Sequence, residues 1–216
     1  MSATGRGAPA QSATADREIV ISRVISAPRE LVFEVFTEVR HLSRWWGPEG
    51  FTTTTRALEF RVGGEWDFVM HGPDGTDYQE WISWSEIAPP ERIALLHGES
   101  RGDLNAFESV ITFAPDGPRG AEGEHGRSPV TDGPRGAEGE HGRSPVTDGP
   151  RGAEGEHGRS PVTDGAATRI EMRTVFPTKE LRDEAVAKYH AIEGGQQTLG
   201  KLAAYVTEII RKGAEG

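Results

Sequence analysis

Residues 17–25 read REIVISRVI, a β-branched run in which apolar and polar positions alternate, and this predicts a first strand. The period then lengthens. In SAPRELVFEVFTEVRHLSRWW, Leu31, Val32, Val35 and Phe36 recur at helical spacing, with Ser26 placed to cap the helix and Pro28 suited to its first turn. Leu42, Trp45 and Trp46 close a second short helix before GPEG breaks it. From 51 to 113 the period is two: FTTTTRALEFRV, GEWDFVMH, DYQEWISWSEI, RIALLHG and AFESVITF, separated by turn-forming stretches, predict consecutive antiparallel strands. TRIEMRTVF adds one more. The chain then ends in HAIEGGQQTLGKLAAYVTEIIRK, where Ile192, Leu199, Leu202, Ala203, Val206, Ile209 and Ile210 form one helical stripe. A run of strands followed by a terminal helix is the pattern of an α+β domain whose single sheet buries one face against that helix.

One segment breaks the pattern. DGPRGAEGEHGRSPVT occurs at Asp116, Asp132 and Asp148 without a change. Six of its sixteen residues are Gly or Pro and its only aliphatic residue beyond Ala is one Val, so the unit has nothing with which to build a core. It is shorter than solenoid repeats, and Gly does not stand at every third position as in collagen. Excising 116–163 leaves ITFAPDGAATRIEM, two β-type runs joined by Asp-Gly, so the array is expected to be a disordered insertion in a hairpin tip. Lengthening a loop from about 4 to about 52 residues costs only roughly 2.3 kcal/mol of closure entropy, which a stable domain tolerates. His125, His141 and His157 lack a framework to fix coordination geometry, so no metal site is read from them. Residues 1–16, small and polar, are read as a disordered tail, leaving a single domain over 17–212 interrupted by the array.

Composition narrows the function classes. The chain has 216 residues, a formal charge of −10 and no Cys, which removes disulfides, thiolate catalysis and Cys-ligated zinc. An acidic chain without a basic stripe argues against nucleic acid as a partner. With no apolar run of membrane-spanning length and no secretory signal, a soluble, cytoplasmic protein is expected, not a membrane one.

SAPRELVFEVFTEVRHLSRWWGPEGF, GGEWDFVMHGPDGTDY, SEIAPPERI, TRIEMRTVF and EGGQQTLGKLAAYV, in that order, resemble the START-like SRPBCC superfamily and, within it, the homologues of the activator of the heat-shock protein 90 ATPase. Trp45-Trp46-Gly47-Pro48 is the most specific piece. The resemblance runs from about 17 to 212 with the array skipped. It implies a helix-grip fold, in which a curved antiparallel sheet wraps the long C-terminal helix and leaves an apolar cavity between them. It also implies a small hydrophobic ligand, a chaperone as an alternative partner, or an enzyme of the cyclase or hydrolase type.

Strand alternation puts Trp66, Phe68 and Met70 on one face, the inward one, and Glu65, Asp67 and His71 on the other. Tyr78, Trp84 and the Trp45/Trp46 pair are further candidates for lining such a cavity, or for filling a core. Gly194 and Gly195 interrupt the inner helix, where missing side chains either widen the cavity or permit close packing on the sheet. His71, His97 and His190 are scattered, without the spacing of a metal site or of a nucleophile and its base. Glu80, Glu108 and Arg173 suit an in-cavity acid, base or anion clamp, and equally suit outward-facing sheet positions. Accordingly no catalytic residue, metal or cofactor is assigned, and the oligomeric state is left open.

Overall fold

A computed structural model describes residues 13–116 and 166–215. The strand read at 17–25 is β1 (Glu18–Ile25), followed by two short helices, α1 (Arg29–Glu34) and α2 (Val39–Trp45). Ser26 does not cap α1; Pro28 occupies the position before the helix, and no side-chain cap hydrogen bond is made there. The period-two region becomes β2 (Thr52–Leu58), β3 (Glu65–His71), β4 (Asp77–Ala88), β5 (Arg92–Gly98) and β6 (Phe107–Pro115), and β7 (Thr168–Val175) follows.

These strands form a single sheet in the order β1-β7-β6-β5-β4-β3-β2, antiparallel at every joint. Register shifts between Thr55 and Ala57 and between Trp84 and Glu86 bulge β2 and β4, and bulges of this kind bend a sheet. The inner positions of each strand are buried. Ile21, Ile170, Ile111, Ile93, Ile82 and Trp66 carry one continuous core across all six strands from β1 to β3.

The chain ends in α3 (Lys179–Tyr189) and the 24-residue α4 (Ala191–Ala214), which lies against β1 and α2. A curved antiparallel sheet around a long C-terminal helix is the helix-grip arrangement. The stripe read from the sequence supplies the buried side of α4 through Leu199, Leu202 and Val206. Nothing in the sequence pattern singled out α3, which has no fully buried residue and only a short apolar side, Leu181, Ala185 and Val186, half-buried against the core. Local bonds add to that packing. Thr178 accepts a hydrogen bond from the Leu181 amide at 3.2 Å, Lys179 pairs with Asp183, and Lys188 pairs with Glu184 one turn back. His190 joins the two helices in the left-handed conformation at φ 51°, which stops α3 and re-aims the chain into α4.

Residues 117–163 of the array and the first twelve residues lie outside the described residues. Of the predicted tail, residues 13–16 are described and make a turn in which the Arg17 amide donates to the Thr14 carbonyl at 2.9 Å. The array's flanks are also described. Pro115 faces Thr168 in the β6–β7 register, the Asp116 amide donates to the Ala167 carbonyl at 2.8 Å, and Arg169 pairs with Asp116 at 2.7 Å. Among the described residues no helix is long and apolar enough to cross a membrane.

Candidate functional site

The concave face of the sheet is built by alternation. Trp66 and Phe68 on β3 point inward, fully buried, and their rings stack with centroids 3.9 Å apart. Trp66 Nε1 donates to Thr55 Oγ1 on the neighbouring strand at 2.9 Å, which satisfies the one polar atom of a buried indole. Trp46 leans edge-on against Trp66 at 5.1 Å and closes the aromatic wall from the helical side.

Trp46 is set by the loop that follows α2. Its carbonyl accepts from Thr53 Oγ1 at 3.1 Å, and Gly47 turns the chain at φ +98°, where a Cβ would press on Met70 Sδ at 3.2 Å. From α4, Lys201 Nζ donates to the carbonyls of Pro48 and Phe51 at 3.2 and 3.1 Å, and Gln197 accepts from the Glu49 amide at 3.1 Å. Burial pushes the Lys201 ammonium below the ordinary lysine value. The WWGPEGF segment is therefore a strap that ties the long helix to the β2–β3 end of the sheet.

Towards one end the wall turns polar. His97 Nε2 and Glu80 Oε2 are 2.8 Å apart, with side chains 14% and 16% exposed. An ionised carboxylate only accepts, so when the imidazole is neutral the proton between the two sits on Nε2. That leaves the lone pair on Nδ1, which has no hydrogen-bond partner among the described residues. The imidazole is flanked by Phe107 at 4.8 Å, Phe68 at 6.2 Å and Trp46 at 6.4 Å between ring centroids. One strand further on, Ser109 and Thr174 share a hydroxyl–hydroxyl hydrogen bond of 2.9 Å.

The residues read from the sequence separate into groups. Trp46, Trp66 and Phe68 come together, with Met70 half-buried beside Gly47. Tyr78 stands opposite Met70 at the rim, its ring 5.9 Å from Phe51. Trp45 touches Trp46, with ring centroids 5.3 Å apart, but locks α2 to the preceding turn: Nε1 donates to the Val35 carbonyl at 3.2 Å and the ring meets Phe36 at 4.6 Å. Trp84 is buried against Phe60 at 4.9 Å, in the cluster that Phe33 and Phe113 complete. For Gly195 the close-packing alternative is the one found, since a Cβ there would come within 2.4 Å of Ile21 Cδ1 on β1.

Sequence reasoning did not combine His97 and Glu80. The signal was present in the alternation: Ile82 and Trp84 are buried two and four positions beyond Glu80, and Ile93 and Leu95 precede His97 on the same face. The other polar candidates face solvent. His71 is satisfied at the surface by Asp77 at 2.6 Å and Thr54 at 2.9 Å, Glu108 is exposed, and Arg173 pairs with Glu18. Among the described residues no group of three or more His, Asp or Glu is arranged to hold a metal ion. A separate groove of about 320 Å³ runs between α2 and the end of α4, lined by Arg40, Arg44, Tyr205, Glu208, Ile209 and Lys212. It shares no residue with the aromatic wall.

Residues 26–124 match the family described as Activator of Hsp90 ATPase homolog 1-like protein. Among solved structures, a protein of Arthrobacter aurescens is 18% identical with a TM-score of 0.61, over 92% of this chain and 90% of that one. One from Mycobacterium smegmatis is 20% identical with a TM-score of 0.60, over 91% and 94%. A Silicibacter pomeroyi protein described as AHSA1 is 16% identical with a TM-score of 0.51, over 88% and 97%. At these identities the likeness shows the fold. No curated protein matches the chain.

Proposed function

We propose that the chain, whose residues 26–124 match the Activator of Hsp90 ATPase homolog 1-like family and whose fold is consistent with a ligand-binding or Hsp90-ATPase-activator-like domain, binds a small hydrophobic molecule against the concave aromatic wall. The observation that carries this reading is the carboxylate–imidazole pair among aromatic rings. Taking the Glu80 carboxylate out of water costs several kcal/mol, on the order of what its bond to the imidazole returns, so apolar residues of the same volume serve a purely structural core at least as well. A few polar groups in an otherwise apolar wall are what a ligand site needs for orientation. The ligand enters at the half-buried rim made by Met70, Phe107 and His97. A chaperone partner rests on the family name, and no residue described above selects it.

Titration of the native protein with the neutral fluorophore N-phenyl-1-naphthylamine tests this reading. Saturable binding is expected, with at least a tenfold loss in Trp46→Ala measured alongside a thermal melt of the same sample. Absence of saturable binding to the folded wild type, or undiminished binding by folded Trp46→Ala, overturns it.

A further inference from the structure

We propose that His97 Nδ1 is the acceptor for an acidic hydroxyl, phenolic or enolic, on the apolar ligand, and that Glu80 is the positioning residue that makes it one. The inference rests on the hydrophobic-ligand reading above and names the chemistry of its polar end. Glu80 accepts from Nε2 at 2.8 Å, so in the neutral ring the only atom left to meet a ligand is the lone pair of Nδ1. Phe107, Phe68 and Trp46 flank the imidazole with centroids 4.8, 6.2 and 6.4 Å away, so a flat apolar body brought to them carries its substituent to that nitrogen. The wall itself selects the class of donor. A ligand carboxylate would approach the charge of Glu80. An ammonium ion would have to shed its hydration beside a pair only 14% and 16% exposed, a far larger penalty than desolvating a neutral hydroxyl. A neutral O–H meets neither obstacle. If it ionises, its proton moves to Nδ1, and the resulting imidazolium lies between the ligand oxyanion and the Glu80 carboxylate.

Calorimetric titrations with naphthalene, 2-naphthol, 2-methoxynaphthalene and 2-naphthylmethylammonium test the assignment. Wild type is expected to bind 2-naphthol about tenfold tighter than its methyl ether, the worth of one buried hydrogen bond. In His97→Phe that preference falls to within about twofold while naphthalene still binds. Nitrogen NMR of the imidazole gives a readout that needs no loss of fold. The wild-type ring is expected as the Nε2–H tautomer with its Nδ1 resonance moved by 2-naphthol, and Glu80→Gln is expected to mix the tautomers. Failure of naphthalene and all its relatives to bind removes the underlying reading. If naphthalene binds but 2-naphthol has no advantage, if the advantage survives His97→Phe, or if the resting ring is protonated on Nδ1, the hydroxyl assignment alone is overturned. Tighter binding of the ammonium probe also overturns it, in favour of a cation site.

Discussion

Trp45 and Trp46 are neighbours in the chain with rings 5.3 Å apart in one core, yet the far sides of the two rings meet different surroundings. Around Trp45 the core is sealed: the indole donates to Val35, Phe36 packs against it at 4.6 Å, and Phe36 in turn meets Phe113 at 5.3 Å. Around Trp46 the same kind of aromatic packing reaches a rim, where His97 and Glu80 keep a little contact with solvent and one imidazole nitrogen has no partner among the described residues. Aromatic content is alike in the two regions and does not tell a core from a site. The difference lies in whether the packed rings end at a partly exposed polar pair, since the sealed side too holds a buried indole nitrogen, that of Trp84, without a partner among the described residues.

The sharpest way to break that comparison is to truncate each tryptophan. Trp45→Ala is expected to cost about 3–5 kcal/mol in denaturant unfolding, as large-to-small changes of fully buried aromatics do. Trp46→Ala is expected to cost less and to act on probe binding. Equal losses of stability, with probe binding intact in Trp46→Ala, would make the two sides of that core indistinguishable.

A second test concerns the helix that closes the interior. Gly195→Leu drives a side chain into Ile21 and is expected to destabilise by about 1–3 kcal/mol through overpacking. Gly200→Ala, where the new Cβ meets only Arg23 Nη1 at 3.6 Å, is expected to stabilise by up to about 1 kcal/mol through helix propensity. Thermal melts of the pair decide whether α4 is seated tightly on β1 at the first position and loosely at the second.

The smallest effect separates the second imidazole of the interior from the first. His41 Nδ1 pairs with the Tyr205 hydroxyl at 2.8 Å, and burial, then the Arg40 charge, push its pKa below the ordinary 6.5. As pH falls through 6.5, the unfolded chain takes up a proton that the folded one resists. Stability that is full above that value is then lost down to the folded pKa. Equilibrium unfolding across this range is expected to show a slope that disappears in His41→Gln; an unchanged slope would assign the proton elsewhere.

The fold was legible because period does most of its work. Every strand and the long helix follow from where the apolar residues recur, and Trp66 and Phe68 were placed on the inner face by the same rule. The polar half of the site was hidden by that rule's usual exception. A Glu or His among strand residues reads as outward, and only the β4–β5 register, shifted between Trp84 and Glu86, brings Glu80 to a histidine 17 positions away. Helix α3 was hidden for the opposite reason: its apolar side is only Leu181, Ala185 and Val186, half-buried, and a cap and ion pairs supply the rest of its hold. Gly195 carried two meanings until Ile21 was found beneath it.

The closing of β6 on β7 has a genetic consequence. Hydrogen bonding reaches Asp116 and Ala167, so the chain leaves and re-enters the domain at adjoining points of a finished ladder. Each copy between them is sixteen codons long and identical to the next, the situation in which unequal recombination adds or removes whole units without changing the reading frame. Because β6 and β7 pair up to the first residue of the array, alleles with fewer or more copies are expected to keep every strand partner in place, which a thermal melt of the chain lacking 116–163 checks.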